Sequence, residues 1–156
     1  MMVAYDFKRF FEPQIATGFK RQTVCGQRRR HARPGEAVQL YLGMRTRFCR
    51  KIVDPDPLCS RILPVVIETS TLLDCVIAAI EIDGRRLHRD EIEEFASADG
   101  FAPERINGVA IDMHGKTARE NMGAFWRAHH PPGLFEGVLV EWSPTPPAPV
   151  RQAREG

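Results

Sequence analysis

The most apolar stretch of the chain runs from Ile62 to Ile82, and it is broken by Pro64, Glu68 and Asp74. A membrane-spanning helix needs about 20 residues with few or no charges, so these interruptions argue against one. Arg61 to Glu68 and Cys75 to Ile82 instead predict two core strands, and Asp83-Gly84 is a two-residue hairpin signal leading into Arg85 to His88. A chain built around such strands must cover the sheet with other elements.

Those elements are legible on both sides. Val3 to Phe7 alternates as a strand, and Glu12 to Thr17 predicts a short helix with Pro13 in its first turn and Gly18 as its stop. After the Pro34-Gly35 turn, Ala37 to Leu42 alternates Val38, Leu40 and Leu42 against Ala37, Gln39 and Tyr41, with Phe48 to Val53 as its returning partner. Asp90 to Gly100 predicts a helix with an acidic first turn, Ile92, Phe95 and Ala96 on one face, and Gly100 as the stop. Asp99 lies seven positions after Ile92, hence on the inward face. Arg119 to His129 predicts a second amphipathic helix, ended by Pro131-Pro132-Gly133, and Leu134 to Trp142 the last strand. Phe125 and Trp126 belong to the core face of that helix. Residues 102–119 predict a surface excursion with turn signals at Asn107-Gly108 and His114-Gly115, and the Pro-rich residues 143–156 a disordered tail. At 156 residues, one core and one domain over residues 1–142 are expected.

Charge is unevenly placed. The formal net charge is only +2, yet Lys20, Arg21, Arg28, Arg29, Arg30, Arg33, Arg45, Arg47, Arg50 and Lys51 face a single acid, Glu36, over the same stretch. A basic loop of this kind suits phosphate contact and hence a polyanionic partner. Cys25, Cys49, Cys59 and Cys75 are separated by 24, 10 and 16 positions, without the short spacing of a zinc knuckle, and are expected as free thiols. No metal or other cofactor is implied. Met1 to Phe11 lacks the apolar core of a signal peptide, so a cytosolic location without membrane attachment is expected. The oligomeric state stays open between a monomer and a weak dimer.

In Gly18-Phe19-Lys20-Arg21-Gln22-Thr23, a glycine closing a helix is followed by an amine and a hydroxyl that can face one pocket. A lysine shielded from water loses affinity for its proton and can act as a base toward a hydroxyl or a water. Asp99, at a helix C-terminus, feels the negative end of the dipole, which raises its pKa and eases proton traffic near neutrality. The bland alternatives are a solvated loop lysine, a strand-edge hydroxyl and a helix-end carboxylate.

These residues, with Arg28 to Gly35, Leu40 to Thr46, Phe95 to Phe101, Met122 to Trp126 and Phe135 to Trp142, resemble in order and spacing the ASCH domains, especially their short phage and bacterial forms. The resemblance implies an α+β fold, a pseudouridine-synthase-and-archaeosine-transglycosylase-like (PUA-like) mixed barrel of five to six strands with two to three helices. It also implies a cleft for RNA or a modified nucleoside. Some members of the family resemble acetylcytidine amidohydrolases and others are linked to RNA cleavage. By position, Lys20, Thr23 and Asp99 would be catalytic, while Gly18, Arg21, Arg28, Arg29, Arg30, Arg33 and Arg45 would bind substrate. Asp99 stands where the amidohydrolase branch has glutamate, and Cys25 where arginine is usual. Three functions follow: removal of an acyl group from the exocyclic amine of cytidine, RNA binding without catalysis, and metal-independent RNA cleavage.

Overall fold

A computed structural model describes residues 3–106 and 113–144. The order of elements is β1 (Val3–Phe7), a 3-10 turn (Arg9–Phe11), α1 (Glu12–Ala16), β2 (Gln22–Gly26), β3 (Val38–Leu42) and β4 (Arg50–Lys51). Then come β5 (Leu58–Thr69), β6 (Ile77–Ile82), β7 (Arg85–Arg86), α2 (Arg89–Ala96), a π-helical turn (Ser97–Phe101), α3 (Pro103–Ile106), α4 (Ala118–His129) and β8 (Gly133–Ser143).

Period-two alternation decides the faces of the small sheet. Val3, Tyr5 and Phe7 of β1 and Val38, Leu40 and Leu42 of β3 all point inward. The two strands run parallel with Val3 opposite Val38 and Phe7 opposite Leu42, so both apolar rows fall on one face, and β4 adds to β3 antiparallel. The larger sheet has the order β2-β8-β5-β6-β7 and is antiparallel throughout. Its long strand β5 carries Pro64 in the interior, normally a poor position because proline cannot donate to the ladder. The Pro64 carbonyl accepts from Asp83 N on the β6 side. In an extended strand the missing N–H falls on that same side, and the β6 ladder starts only at Val65. No donor is left unmade.

The hydrogen bonding does not close the strands into the expected barrel. Among the described residues eight strands form two sheets, joined at one corner where Ala37 bridges Leu58 and Val38 N donates to Pro57 O. The fold class is α+β, with a single apolar core running through both sheets and the helices. Phe7 of β1 meets Trp142 of β8 edge to face at 5.9 Å inside it.

Several expected elements shift. Gln22–Gly26, to which the sequence assigned no element, is strand β2, and the return expected over Phe48 to Val53 shrinks to Arg50–Lys51. The helix expected to Gly100 ends at Ala96 and continues as a π turn, because Gly100 takes a φ of 104° that no α-helix allows. The excursion begins with α3, whose Ile106 is wholly buried, and Met113 is buried too. Its start is therefore part of the core. The Asn107-Gly108 signal, residues 107–112 and most of the tail lie outside the described residues. No described helix is long and apolar enough to cross a membrane.

One contact fixes where α4 lies. A Cβ on Gly123 would fall 2.0 Å from the Cys75 carbonyl oxygen and 2.9 Å from the Val76 Cβ. Val76 itself holds a φ of 66°, costly for a β-branched residue. Helix backbone and loop backbone thus touch directly. Gly123→Ala is expected to destabilise the fold by about 1–3 kcal/mol or more, the cost of overpacking. Chemical denaturation measures it, and an unchanged midpoint would contradict this packing.

Candidate functional site

The site starts from the end of α1. Gly18, at a φ of 79°, stops the helix and turns the chain back, so that Lys20 N donates to the Gln14 carbonyl. The Gln14 side chain donates in turn to the Gly100 carbonyl at 2.9 Å. Residues more than eighty positions apart are thereby clamped together. Lys20 enters the core between them and is 1% exposed, while Asp99 is 3% exposed.

The Lys20 ammonium donates to the Asp99 carbonyl oxygen at 2.5 Å and lies 3.5 Å from the Asp99 carboxylate. Its Nζ also sits 4.4 Å from the Phe11 ring centre, a cation–π distance. Gly100 makes the approach possible, since a Cβ there would come 2.7 Å from the Phe11 ring and 3.1 Å from Lys20 Cδ. Gln22 Nε2 reaches the same Asp99 oxygen at 3.5 Å. Burial pushes the Lys20 pKa down and the Asp99 pKa up, each opposed by attraction to the other. Asp99 is thus raised chiefly by loss of water rather than by the helix dipole that its sequence position suggests. Burial thus favours the uncharged forms, while the attraction between the two groups favours the charged pair.

Lys20, Thr23 and Asp99 line one cavity of about 160 Å³, with Phe7, Phe11, Phe101, Phe125 and Trp126 as walls. An apolar cavity of about 150 Å³ holds a benzene-sized ring. By volume the cavity is on the scale of a single ring. Thr23 lies on β2 opposite Val140, at the edge of the larger sheet. Trp126 and Phe125, expected as core, are both packed and cavity-lining. The indole nitrogen of Trp126 is buried with no hydrogen-bond partner among the described residues.

The basic residues do not gather at this cavity. Arg21 folds back onto the Gly18 carbonyl at 2.8 Å. Arg28 donates to the Ala4 carbonyl and stacks 5.0 Å from the Tyr5 ring, and Arg30 pairs with Glu36 at 2.6 Å. The same glutamate accepts from Arg33 N. Arg29 and Arg45 are exposed. Cys25 lies in β2 beside Thr23, whose side chain it contacts, and burial pushes its thiol up to about 11. It is a packed thiol and not a ready nucleophile. Among the described residues no group of three acidic, His or Cys side chains is placed to hold a metal ion.

Phe7, Phe11 and Phe101 were not singled out as site residues from sequence. Phe7 and Phe11 were open to detection, because an aromatic cluster so close in sequence to the lysine motif must pack around whatever that lysine does. No family model, curated protein or solved structure matches the chain.

A buried ion pair is expensive to keep unless both partners stay. Lys20→Met alone leaves Asp99 facing aromatic walls and is expected to destabilise the protein by about 3–5 kcal/mol. Lys20→Met with Asp99→Leu is expected to recover most of that loss, since an apolar replacement of a buried pair is often neutral or stabilising. Urea denaturation of both variants checks it, and equal losses in the two would contradict the pairing.

Proposed function

We propose that this protein is an ASCH-type, PUA-like domain whose aromatic cavity takes the base of an RNA residue or modified nucleoside, and that it hydrolyses an acyl group from the exocyclic amine of a cytidine-like base. One observation carries the proposal. A lysine and a carboxylic acid, both driven toward their neutral forms, share with a threonine hydroxyl a cavity sized for a single ring.

The chemistry follows from those groups. Neutral Lys20 accepts a proton from water as the hydroxide adds to the acyl carbon, and the Thr23 hydroxyl donates to the oxygen that becomes negative. Asp99 gives its proton to the exocyclic nitrogen as the carbon–nitrogen bond breaks. One water is consumed, and a carboxylic acid and a free amine leave. The aromatic walls exclude bulk water and hold the base flat, so that little orientation remains to be lost in the transition state. The proton then passes from Lys20 to the Asp99 carboxylate, 3.5 Å away.

Incubation of the purified protein with acetylcytidine, with loss of the acetyl group followed by mass spectrometry, is expected to show turnover. Thr23→Val, which keeps the shape of the side chain, and Lys20→Met are each expected to lower kcat/KM by about 10²–10⁴-fold. The thermal midpoint of Thr23→Val identifies any loss due to unfolding. Absence of turnover in the wild type, with RNA still bound, would favour a base-binding module without catalysis. RNA cleaved while acetylcytidine stays intact would favour a ribonuclease.

The pH profile gives a second check. The lysine must be unprotonated, so activity rises with pH through its folded pKa, which lies below the ordinary lysine value. The aspartic acid must be protonated, so activity falls as pH rises through its folded pKa, which lies above the ordinary carboxylate value. A bell with limbs drawn together is expected, and Asp99→Asn should remove the alkaline limb. A flat profile would oppose this assignment.

A further inference from the structure

The turn between β3 and β4 displays an aromatic ring that the core does not use. Phe48 is 71% exposed, and the Arg47 guanidinium lies 4.9 Å from its ring centre. The turn that carries this ring is held by its own hydrogen bonds. Gly43, at a φ of 64°, leaves no room for a side chain, since a Cβ would meet the Thr46 hydroxyl at 2.9 Å. That hydroxyl donates to the Gly43 carbonyl and accepts from Phe48 N. Cys49 N donates to the Thr46 carbonyl, and Arg45 adopts a φ of 65°. The turn is therefore fixed in shape.

Its position is fixed as well. Met44 N donates to the Asp6 carboxylate, and Asp6 is among the residues that line the aromatic cavity. Arg50, at the far end, is held by Glu12. Of the cations on this stretch, Arg50 and Lys51 are spent on carboxylates, whereas Arg45 and Arg47 form no ion pair among the described residues. A turn beside the cavity thus offers an exposed ring, with the Arg47 guanidinium over it, and two guanidiniums that neutralise no carboxylate among the described residues. Flat rings linked by a repeating negative charge match that pattern.

We propose that this turn is a docking surface for single-stranded nucleic acid, with Phe48 stacking a base that neighbours the one in the cavity, and Arg45 and Arg47 meeting the backbone phosphates. The proposal extends the base-cavity reading from a free nucleoside to a strand, and it has its own test. Anisotropy of a fluorescent single-stranded RNA of about ten nucleotides, within the site size of such grooves, measures affinity across a salt series. Phe48→Ala is expected to weaken binding about 5- to 100-fold, the range of one lost base stack. Arg45→Ala with Arg47→Ala is expected to reduce the slope of log K against log salt by about 1.4, or roughly 0.7 for each phosphate lost. Phe48→Ala should leave KM for acetylcytidine unchanged.

Strand affinity that survives Phe48→Ala, or a salt slope unmoved by the double arginine change, overturns the proposal even where acetylcytidine is hydrolysed. Equal losses for strand and nucleoside would also overturn it, by showing a general disturbance of the fold. Binding to vesicles containing phosphatidylserine, in place of RNA, would assign the turn to a lipid surface instead. Conversely, loss of strand binding in Phe48→Ala with no hydrolysis in the wild type would uphold the docking surface and reject only the amidohydrolase chemistry.

Discussion

The Lys20–Asp99 contact is the constraint around which the rest of the molecule is arranged. Two ionisable groups withdrawn from water cost the fold several kcal/mol each unless they meet, and meeting requires the end of α1 to lie against the π turn after α2. Gln14 seals that junction from one side by bonding the Gly100 carbonyl, and Gln22 approaches it from the strand side. Gly18 and Gly100 supply the two left-handed turns that bring the backbones close enough. Phe7, Phe11, Phe101 and Phe125 then fill the space that water would otherwise occupy. A chain seeking stability alone would place leucine and methionine at the two charged positions. Retention of the pair suits a site in which proton position matters more than the last increment of stability.

How much of this was legible depended on whether the signal was local. Val3 to Phe7 and Val38 to Leu42 alternate cleanly because one face is buried, so both strands could be read directly. The Asp83-Gly84 turn was equally plain, since both residues hold the positive φ that this dipeptide favours. Asp99, expected inward from its interval to Ile92, is buried, but it stands in the π turn after the helix, where that interval no longer sets the face. Gln22–Gly26 was hidden, because an edge strand with half-buried residues on both faces carries no alternation. Closure of the sheets could not be read at all. It depends on which strands pair at long range, and the parallel β1–β3 pairing is set by tertiary contacts rather than by any neighbouring turn.

The basic run illustrates a different limit. Ten cations against one acid looked like a single phosphate-binding surface, but charge counts ignore what each side chain already touches. Arg28 covers Tyr5, the Arg30 side chain pairs with Glu36, which also accepts from the Arg33 backbone N–H, and Arg21 closes on its own helix end. Glu36 reaches one guanidinium, that of Arg30, and the Arg33 backbone N–H, a geometry invisible in a net sum. What remains uncommitted near the cavity is a smaller set on another loop, where an aromatic ring stands among the cations.

The strand order carries a consequence for how the molecule comes to be. β8 lies between β2 and β5, so Thr23 has no sheet to join until residues 133–143 have arrived. Lys20 meets Asp99 across almost eighty positions, and the wall formed by Phe125 and Trp126 is later still. A growing chain that has emerged only as far as α4 can therefore possess every polar group of the site without possessing the site. The cavity wall contributed by β2 is thus in place only once the final strand has joined the sheet.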